Sequence, residues 1–140
     1  MSSTSDCIFC KIIAGDIPCF KLYEDDRVLS FMDINPFNDG HSLVLTKAHV
    51  EDLYSADESD LTACIRAAKK VASAVKQVVT PDGLNLVQAN GPGAGQTVSH
   101  FHIHVFPRRN GDNASFNWGH APGDMERIGR LAERIRAALA

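Results

Sequence analysis

The sequence contains no long hydrophobic run. Its longest apolar stretches, such as Val28-Leu29-Ser30-Phe31-Met32 and Leu43-Val44-Leu45, fall far below the ~20 residues that cross a bilayer, so no transmembrane helix is expected. A basic excess is also missing: fourteen Lys+Arg against seventeen Asp+Glu leave a formal charge of −3. That balance excludes the footprint of a nonspecific nucleic-acid binder and leaves room for a small anionic ligand in a local pocket. Cysteine is scarce, with four in 140 residues, too few for a secreted disulfide scaffold. The first residues, Met1-Ser2-Ser3-Thr4-Ser5-Asp6, have neither a basic n-region nor a following h-region. Residues 1–5 therefore read as a flexible tail rather than a signal peptide, and a cytoplasmic location is expected. Repeats, low-complexity tracts and linkers are absent, which argues against a solenoid or several domains.

What is present suits one α+β domain over residues 1–140, large enough to hide roughly two thirds of its unfolded surface without disulfide or metal. A short helix is expected from Cys7 to Ala14, stopped by Gly15, followed by strands over 19–24, 28–32 and 41–46. The loop between the last two contains Asn35-Pro36 and Asn38-Asp39-Gly40, where proline disfavours helix and glycine permits unusual dihedrals. Leu61, Ile65, Ala68, Ala72, Val75 and Val79 recur at steps of four and three, predicting a long helix with Arg66, Lys69, Lys70 and Lys76 on its other face. Ser55 with Glu58 forms a candidate capping box, and Pro81-Asp82-Gly83 ends the helix. A strand over 84–88, a glycine-rich loop over 90–96 and a fifth strand over 100–106 come next. A C-terminal helix in the 119–140 region carries Ile128, Leu131, Ala132, Ile135 and Leu139. Cys19 and Cys64 read as small buried hydrophobes.

The chemistry concentrates in His100-Phe101-His102-Ile103-His104. On a pleated strand the three imidazoles share one face, roughly 6.5–7 Å apart, while Phe101, Ile103 and Val105 enter the core. The loop before them offers backbone N–H groups at Gly93, Gly95 and Gln96, with Thr97 and Ser99 hydroxyls nearby, a composition suited to phosphate. Neutral imidazole attacks phosphorus near pH 7 and leaves readily from a phosphoryl adduct, provided its second nitrogen is held by an acceptor. No Arg or Lys lies inside the loop, which favours one reacting phosphate over a polyphosphate chain. Cys7-Ile8-Phe9-Cys10 is a separate signal: completed by two distant histidines, it would make a Cys2His2 zinc site.

His100–Phe106 resembles the His-φ-His-φ-His-φ-φ motif of the histidine triad (HIT) superfamily. Gly95-Gln96-Thr97-Val98, Phe31-Met32-Asp33-Ile34-Asn35-Pro36 and Gly40-His41-Ser42-Leu43-Val44-Leu45 with Lys47-Ala48-His49 are similar to its Hint branch in order and spacing, over about residues 6 to 118. The resemblance implies a HIT fold, with a five-stranded mainly antiparallel sheet, one long helix and a C-terminal helix, dimerising into a ten-stranded sheet. It also implies a nucleotide hydrolase or transferase acting at the α-phosphate of purine nucleotides, typically nucleoside phosphoramidates or aminoacyl-adenylates. Position by position, His102 would be the nucleophile and His104 would contact the phosphate and assist the leaving group. His41 would support the site, while Gln96 and Thr97, within the Gly95–Val98 segment, would bind the phosphate or leaving group. Asp33 would take the ribose hydroxyls, Phe31 and Ile34 would line the base pocket, and Asn90 would lie near the α-phosphate. Asp33 as a turn cap and Asn90 as a left-handed residue are the plain structural alternatives.

Bacterial members of the superfamily, and the related galactose-1-phosphate uridylyltransferases, are similar in pairing a CxxC with the Lys-x-His histidine and the first triad histidine. By that resemblance Cys7, Cys10, His49 and His100 hold structural zinc. Arg108-Arg109-Asn110-Gly111-Asp112 and Phe116-Asn117-Trp118 are also more similar to bacterial members than to eukaryotic Hint. Trp118 is a candidate for stacking on substrate or closing a partner's pocket, Arg108 and Arg109 for meeting distal phosphates, and His120 has no motif support. Diadenosine polyphosphate hydrolysis and a zinc-stabilised nucleotide-binding module without turnover are the alternative functions.

Overall fold

The computed structural model describes residues 4–116 and 119–139. After a single turn of 3-10 helix at Thr4–Asp6 come α1 (Ile8–Ile13), β1 (Lys21–Glu24), β2 (Val28–Met32), β3 (Ser42–Thr46), α2 (Glu58–Val79), β4 (Gly83–Val87), β5 (His102–Arg108) and α3 (Met125–Leu139). The strands form one sheet in the order β1-β2-β3-β5-β4 with every neighbouring pair antiparallel. Among the described residues no helix is long and apolar enough to cross a membrane.

Alternation along the strands builds two cores. Val28, Val44, Ile103 and Val105 pack on one face beneath Cys64, Ala67, Ala68, Val71 and Val75 of α2. Leu29, Phe31, Leu43 and Leu45 pack on the other with Cys7 and Phe9. The central strand β3 is therefore buried along its whole length, and its polar groups are satisfied locally. Ser42 Oγ donates to Gly40 O at 2.9 Å and Thr46 Oγ1 to Ala48 O at 2.8 Å, which removes the cost of burying a bare hydroxyl.

The buried stripe of α2 is rotated from the expected one. Ile65 is 50% exposed, whereas Cys64, Ala67 and Val71 are buried. Small side chains let the helix sit close to the sheet, and Leu61 and Ile65 move to its flank. The capping box does not form: the N-cap is Asp57, without a side-chain bond, and Ser55 pairs instead with Asp52. At the other end Thr80 turns left-handed, and Arg109 donates to the Val79 and Thr80 carbonyls at 2.6 and 2.7 Å, a favourable cation at a helix C-terminus. Arg109 is thus a helix cap, not a free phosphate ligand. α3 carries the expected apolar stripe, but none of its residues is buried.

Gly40 shows how tightly the loop before β3 is seated. Its φ is +90°, and an added Cβ would lie 2.9 Å from Val79 Cγ2 and 3.0 Å from Val75 Cγ1. At Gly15 the φ is +86° but the space is open. Urea unfolding should show a loss of about 2–4 kcal/mol for Gly40→Ala, where strain and overpacking add, against about 1–2 kcal/mol for Gly15→Ala, where only backbone strain applies; equal losses would refute the close packing.

Candidate active site and metal centre

β5 begins at His102, not at His100. Its pairing with β3 ends at His102 opposite Leu45, and the chain before it bends, with Phe101 N donating to Val50 O at 2.8 Å. The three imidazoles still lie toward the Phe9 side of the sheet, but they divide into two groups. His100 joins the N-terminal cysteines, while the rings of His102 and His104 stand 5.0 Å apart.

Backbone carbonyls only accept hydrogen bonds, and this fixes the tautomers. His100 Nε2 lies 2.6 Å from Thr46 O, so Nε2 carries the proton and Nδ1 presents a lone pair. That nitrogen is 3.4 Å from Cys7 Sγ and 3.6 Å from Cys10 Sγ, while His49 Nδ1 is 3.2 Å from Cys10 Sγ. An ion bound at ordinary zinc–sulfur and zinc–nitrogen lengths in a tetrahedron sets S···N separations of about 3.6 Å, so Cys7, Cys10, His49 and His100 fit such an ion. The Cys10 N–H already points at Cys7 Sγ, 3.4 Å away. Burial, then the neighbouring Cys7, pushes the Cys10 thiol up to about 11; a bound cation acts in the opposite sense and favours the thiolate. The Thr46 carbonyl supplies the outer support that orients a metal-bound histidine.

His102 Nδ1 lies 2.7 Å from His100 O, so it carries the proton and Nε2 holds an available lone pair. His41 Nδ1 accepts the Phe37 N–H at 3.1 Å; its proton is therefore on Nε2, 2.9 Å from His104 Nδ1. That leaves His104 protonated at Nε2. One histidine thus offers a nucleophilic nitrogen and its neighbour an N–H, each set by a bond on the far side of its ring. Asp33 Oδ2 stands 3.4 Å from His41 Nε2, a longer contact than the histidine pair makes. Burial lowers the proton affinity of His41, His100 and His102, and burial with the neighbouring His102 and His41 brings His104 down to about 4. In each ring burial favours the neutral form.

The remaining candidates separate into those at the histidines and those in the loop. Asp33 also caps its turn, accepting Asn35 N–H at 2.8 Å, so part of its carboxylate is already engaged. Phe31 is buried against Phe9, and Ile34 is exposed on the loop beside Asp33. In the glycine-rich loop, Gly91 and Gly95 adopt positive φ and Gln96 acts as a staple. Its Oε1 accepts Gly91 N–H at 2.8 Å, while Nε2 donates to Glu51 O at 2.7 Å and Val98 O at 3.0 Å. Asn90 is not left-handed; its Oδ1 accepts Leu53 N–H at 2.8 Å, tying the loop to the 51–54 turn. Thr97 is exposed and Val98 is half-buried. Arg108 is held bidentate by Asp112 at 2.8 and 2.9 Å, between the Phe106 and Phe116 rings, which removes it from phosphate binding. His120 is exposed, and Trp118 lies outside the described residues. Phe9, touching both His100 and His102, is absent from the motif reading although it stands between the two cysteines.

The HIT domain family model matches residues 14–111. The chain belongs to the HIT family. This HIT protein is 39% identical over 145 residues to the protein named hit from Bacillus subtilis, covering 99% of this chain and all of that one. It is 35% identical over 145 residues to an adenosine 5'-monophosphoramidase from Candida albicans, covering all of this chain and 95% of the relative. Among solved structures, a zinc-bound histidine triad protein from Mycobacterium smegmatis superposes with a TM-score of 0.75 at 38% identity, covering 98% of this chain and 97% of that one. The HIT fold expected from the motif is the fold observed.

The buried histidines give the HIT domain a pH signature. A ring whose folded value lies below its unfolded value contributes stability above about 6.5, and the contribution is lost as pH falls through the folded value. Unfolding free energy should therefore fall between about pH 6.5 and the folded value of about 4 for His104, with a shallower slope in His104→Gln; a wild-type profile flat over that window would contradict the assignment.

Proposed function

We propose that this HIT protein is a nucleotide hydrolase or transferase acting at the α-phosphate of purine nucleotides, with nucleoside phosphoramidates or aminoacyl-adenylates as its substrates. The observation that carries the reading is the pair of opposed tautomers, an unprotonated His102 Nε2 beside a His104 Nε2–H, reached through bonds at 2.7 and 2.9 Å. Binding alone requires neither.

The His102 Nε2 lone pair attacks the α-phosphorus and the bond to the leaving nitrogen or oxygen breaks. The departing group takes its proton from solvent, while the His104 Nε2–H donates a hydrogen bond that stabilises the charge developing on it, and the His41 Nε2–H holds the other side of that ring. The adduct on His102 is cationic, and its Nδ1–H remains on the His100 carbonyl, which bears that charge better than a hydrocarbon wall would. Water then attacks the phosphorus and gives its proton to solvent, the His102 Nε2–phosphorus bond breaks with its electron pair returning to Nε2, and the nucleoside monophosphate is released. A bound phosphate supplies the negative charge that the neutral cluster lacks, and by the same Coulombic logic raises the proton affinity of His104.

The nucleotide occupies the face shared by the histidines and the 90–98 loop. Asp33 faces the ribose hydroxyls, and Ile34 with Phe31 borders the base. Gly95, Thr97 and Val98 bring the loop against the phosphate, with Gln96 and Asn90 holding its shape. Cys7, Cys10, His49 and His100 hold zinc, which is structural because four protein ligands fill the tetrahedron. Two copies join through the outer edge of β4, which pairs only with β5 on its inner side, to continue the sheet. Light scattering should then return twice the chain mass of 15.2 kDa.

Purified protein mixed with adenosine phosphoramidate and quenched within one turnover should yield adenylate on the His102 peptide together with AMP. His102→Ala should fold, retain its zinc and lose on the order of 10⁴-fold in turnover. Faster turnover of a diadenosine polyphosphate would move the assignment to that substrate class. Stable nucleotide binding with neither adduct nor turnover across leaving groups would make the protein a binding module.

A further inference from the structure

The metal cluster and the nucleophile share a wall, and the segment between the two cysteines builds it. Phe9 is 6% exposed. Its ring meets His102 at 5.1 Å and 85°, His100 at 5.8 Å and 77°, and Phe31 at 5.8 Å and 74°. All three contacts are edge-to-face, the geometry aromatic quadrupoles favour. The second restraint on His102, the hydrogen bond at Nδ1, comes from the carbonyl of His100 at 2.7 Å. Both restraints therefore arise inside the cluster, one from a donor residue and one from the residue between two donors.

A histidine ring needs both. The second side-chain torsion of histidine lies in a broad well, so a single hydrogen bond at Nδ1 fixes one point of the ring and leaves it free to rock about that point. A second ring packed edge-to-face against it opposes the rocking motion and holds the direction of the Nε2 lone pair. In-line attack on phosphorus depends on that direction, and a misplacement of about 1 Å in such geometry costs about 10²-fold in rate. The wall is itself anchored. Cys7 caps α1, its sulfur accepting the Cys10 N–H, so the backbone carrying Phe9 is fixed at both ends of the motif.

We propose that Phe9 is a positioning residue for the nucleophile, and that the Cys7–Cys10 knuckle serves catalysis by holding the ring of His102 as well as serving stability. The proposal rests on the reading of His102 as the nucleophile and goes beyond a purely structural role for the metal. Its test is Phe9→Leu in the full-length, metal-loaded protein, which keeps an apolar side chain in the space and removes the flat ring. Steady-state kinetics on adenosine phosphoramidate should show kcat at saturating substrate reduced about 10- to 100-fold, over and above any change in KM that passes through the Phe31 contact. Elemental analysis should find the same zinc content as the wild type. Long-range nitrogen–proton NMR of the imidazoles should show the single Nδ1–H form of His102 give way to a broadened or mixed pattern, a readout independent of turnover.

Unchanged kcat with an unchanged His102 spectrum overturns the proposal. So does a loss of activity that tracks lost zinc or lost folded protein while His102 keeps its spectrum, because Phe9 is then only core packing. Should Phe9→Leu fail to fold, Phe9→Met, a more adaptable filler of the same space, is read in the same way. Failure of the underlying reading is distinguishable: full turnover by His102→Ala removes the nucleophile assignment, whereas the spectrum of Phe9→Leu still reports whether the wall holds the ring.

Discussion

The fully buried side chain of His100 is the point on which the rest of the molecule depends. Its ring joins Thr46 at the end of β3 to the cysteines at the start of α1, and its backbone carbonyl sets the ring of His102. Removing the ring would orphan the buried Thr46 carbonyl and take one nitrogen from the cluster at the start of α1, two costs that fall on one side chain. The second face of the sheet, built by Cys7, Phe9, Leu29, Phe31, Leu43 and Leu45, closes around this junction. The α2 face is built from packing, satisfied hydroxyls and the ion pair of Arg27 with the buried Asp60.

Most of the architecture, and nearly all of the side chains at the histidines, are legible in the sequence. Strand alternation, the long helix and the CxxC spacing are periodic or local signals that survive without tertiary context. What is illegible depends on the other side of a contact. The rotated stripe of α2 follows from how closely alanines approach the sheet, which no helical period encodes. His100 is written as a strand residue by its alternation, yet it leaves the strand because its ring is wanted by two thiols and a carbonyl. The tautomers are out of reach because their partners are main-chain groups, the Phe37 N–H and the carbonyls of Thr46 and His100, and the backbone is the same at every position. Phe9 is legible as a hydrophobe but not as the neighbour of the His102 ring.

Two arginines illustrate the same limit. Arg108 and Arg109 follow the triad and read equally as ligands of distal phosphates or as solvated charge, but each is engaged within the protein. One is gripped by Asp112 between two aromatic rings, and the other closes the C-terminus of α2. Asp112 is in turn bonded to Asn38, whose amide also donates to Pro107 O at 2.9 Å. These residues join the loop that carries Asp33 and His41 to the segment after β5, so charges suggestive of ligand binding instead fasten that loop in place.

The staple made by Gln96 has a thermodynamic side. With its amide already bonded to Gly91, Glu51 and Val98, the loop is closed on itself before any anion arrives. A phosphate that recruits this side chain replaces protein hydrogen bonds one for one and gains little net energy from them, so the loop contributes shape to the ground-state complex more than affinity. The shape of the loop is thus set by the protein's own bonds and not by the anion it would meet.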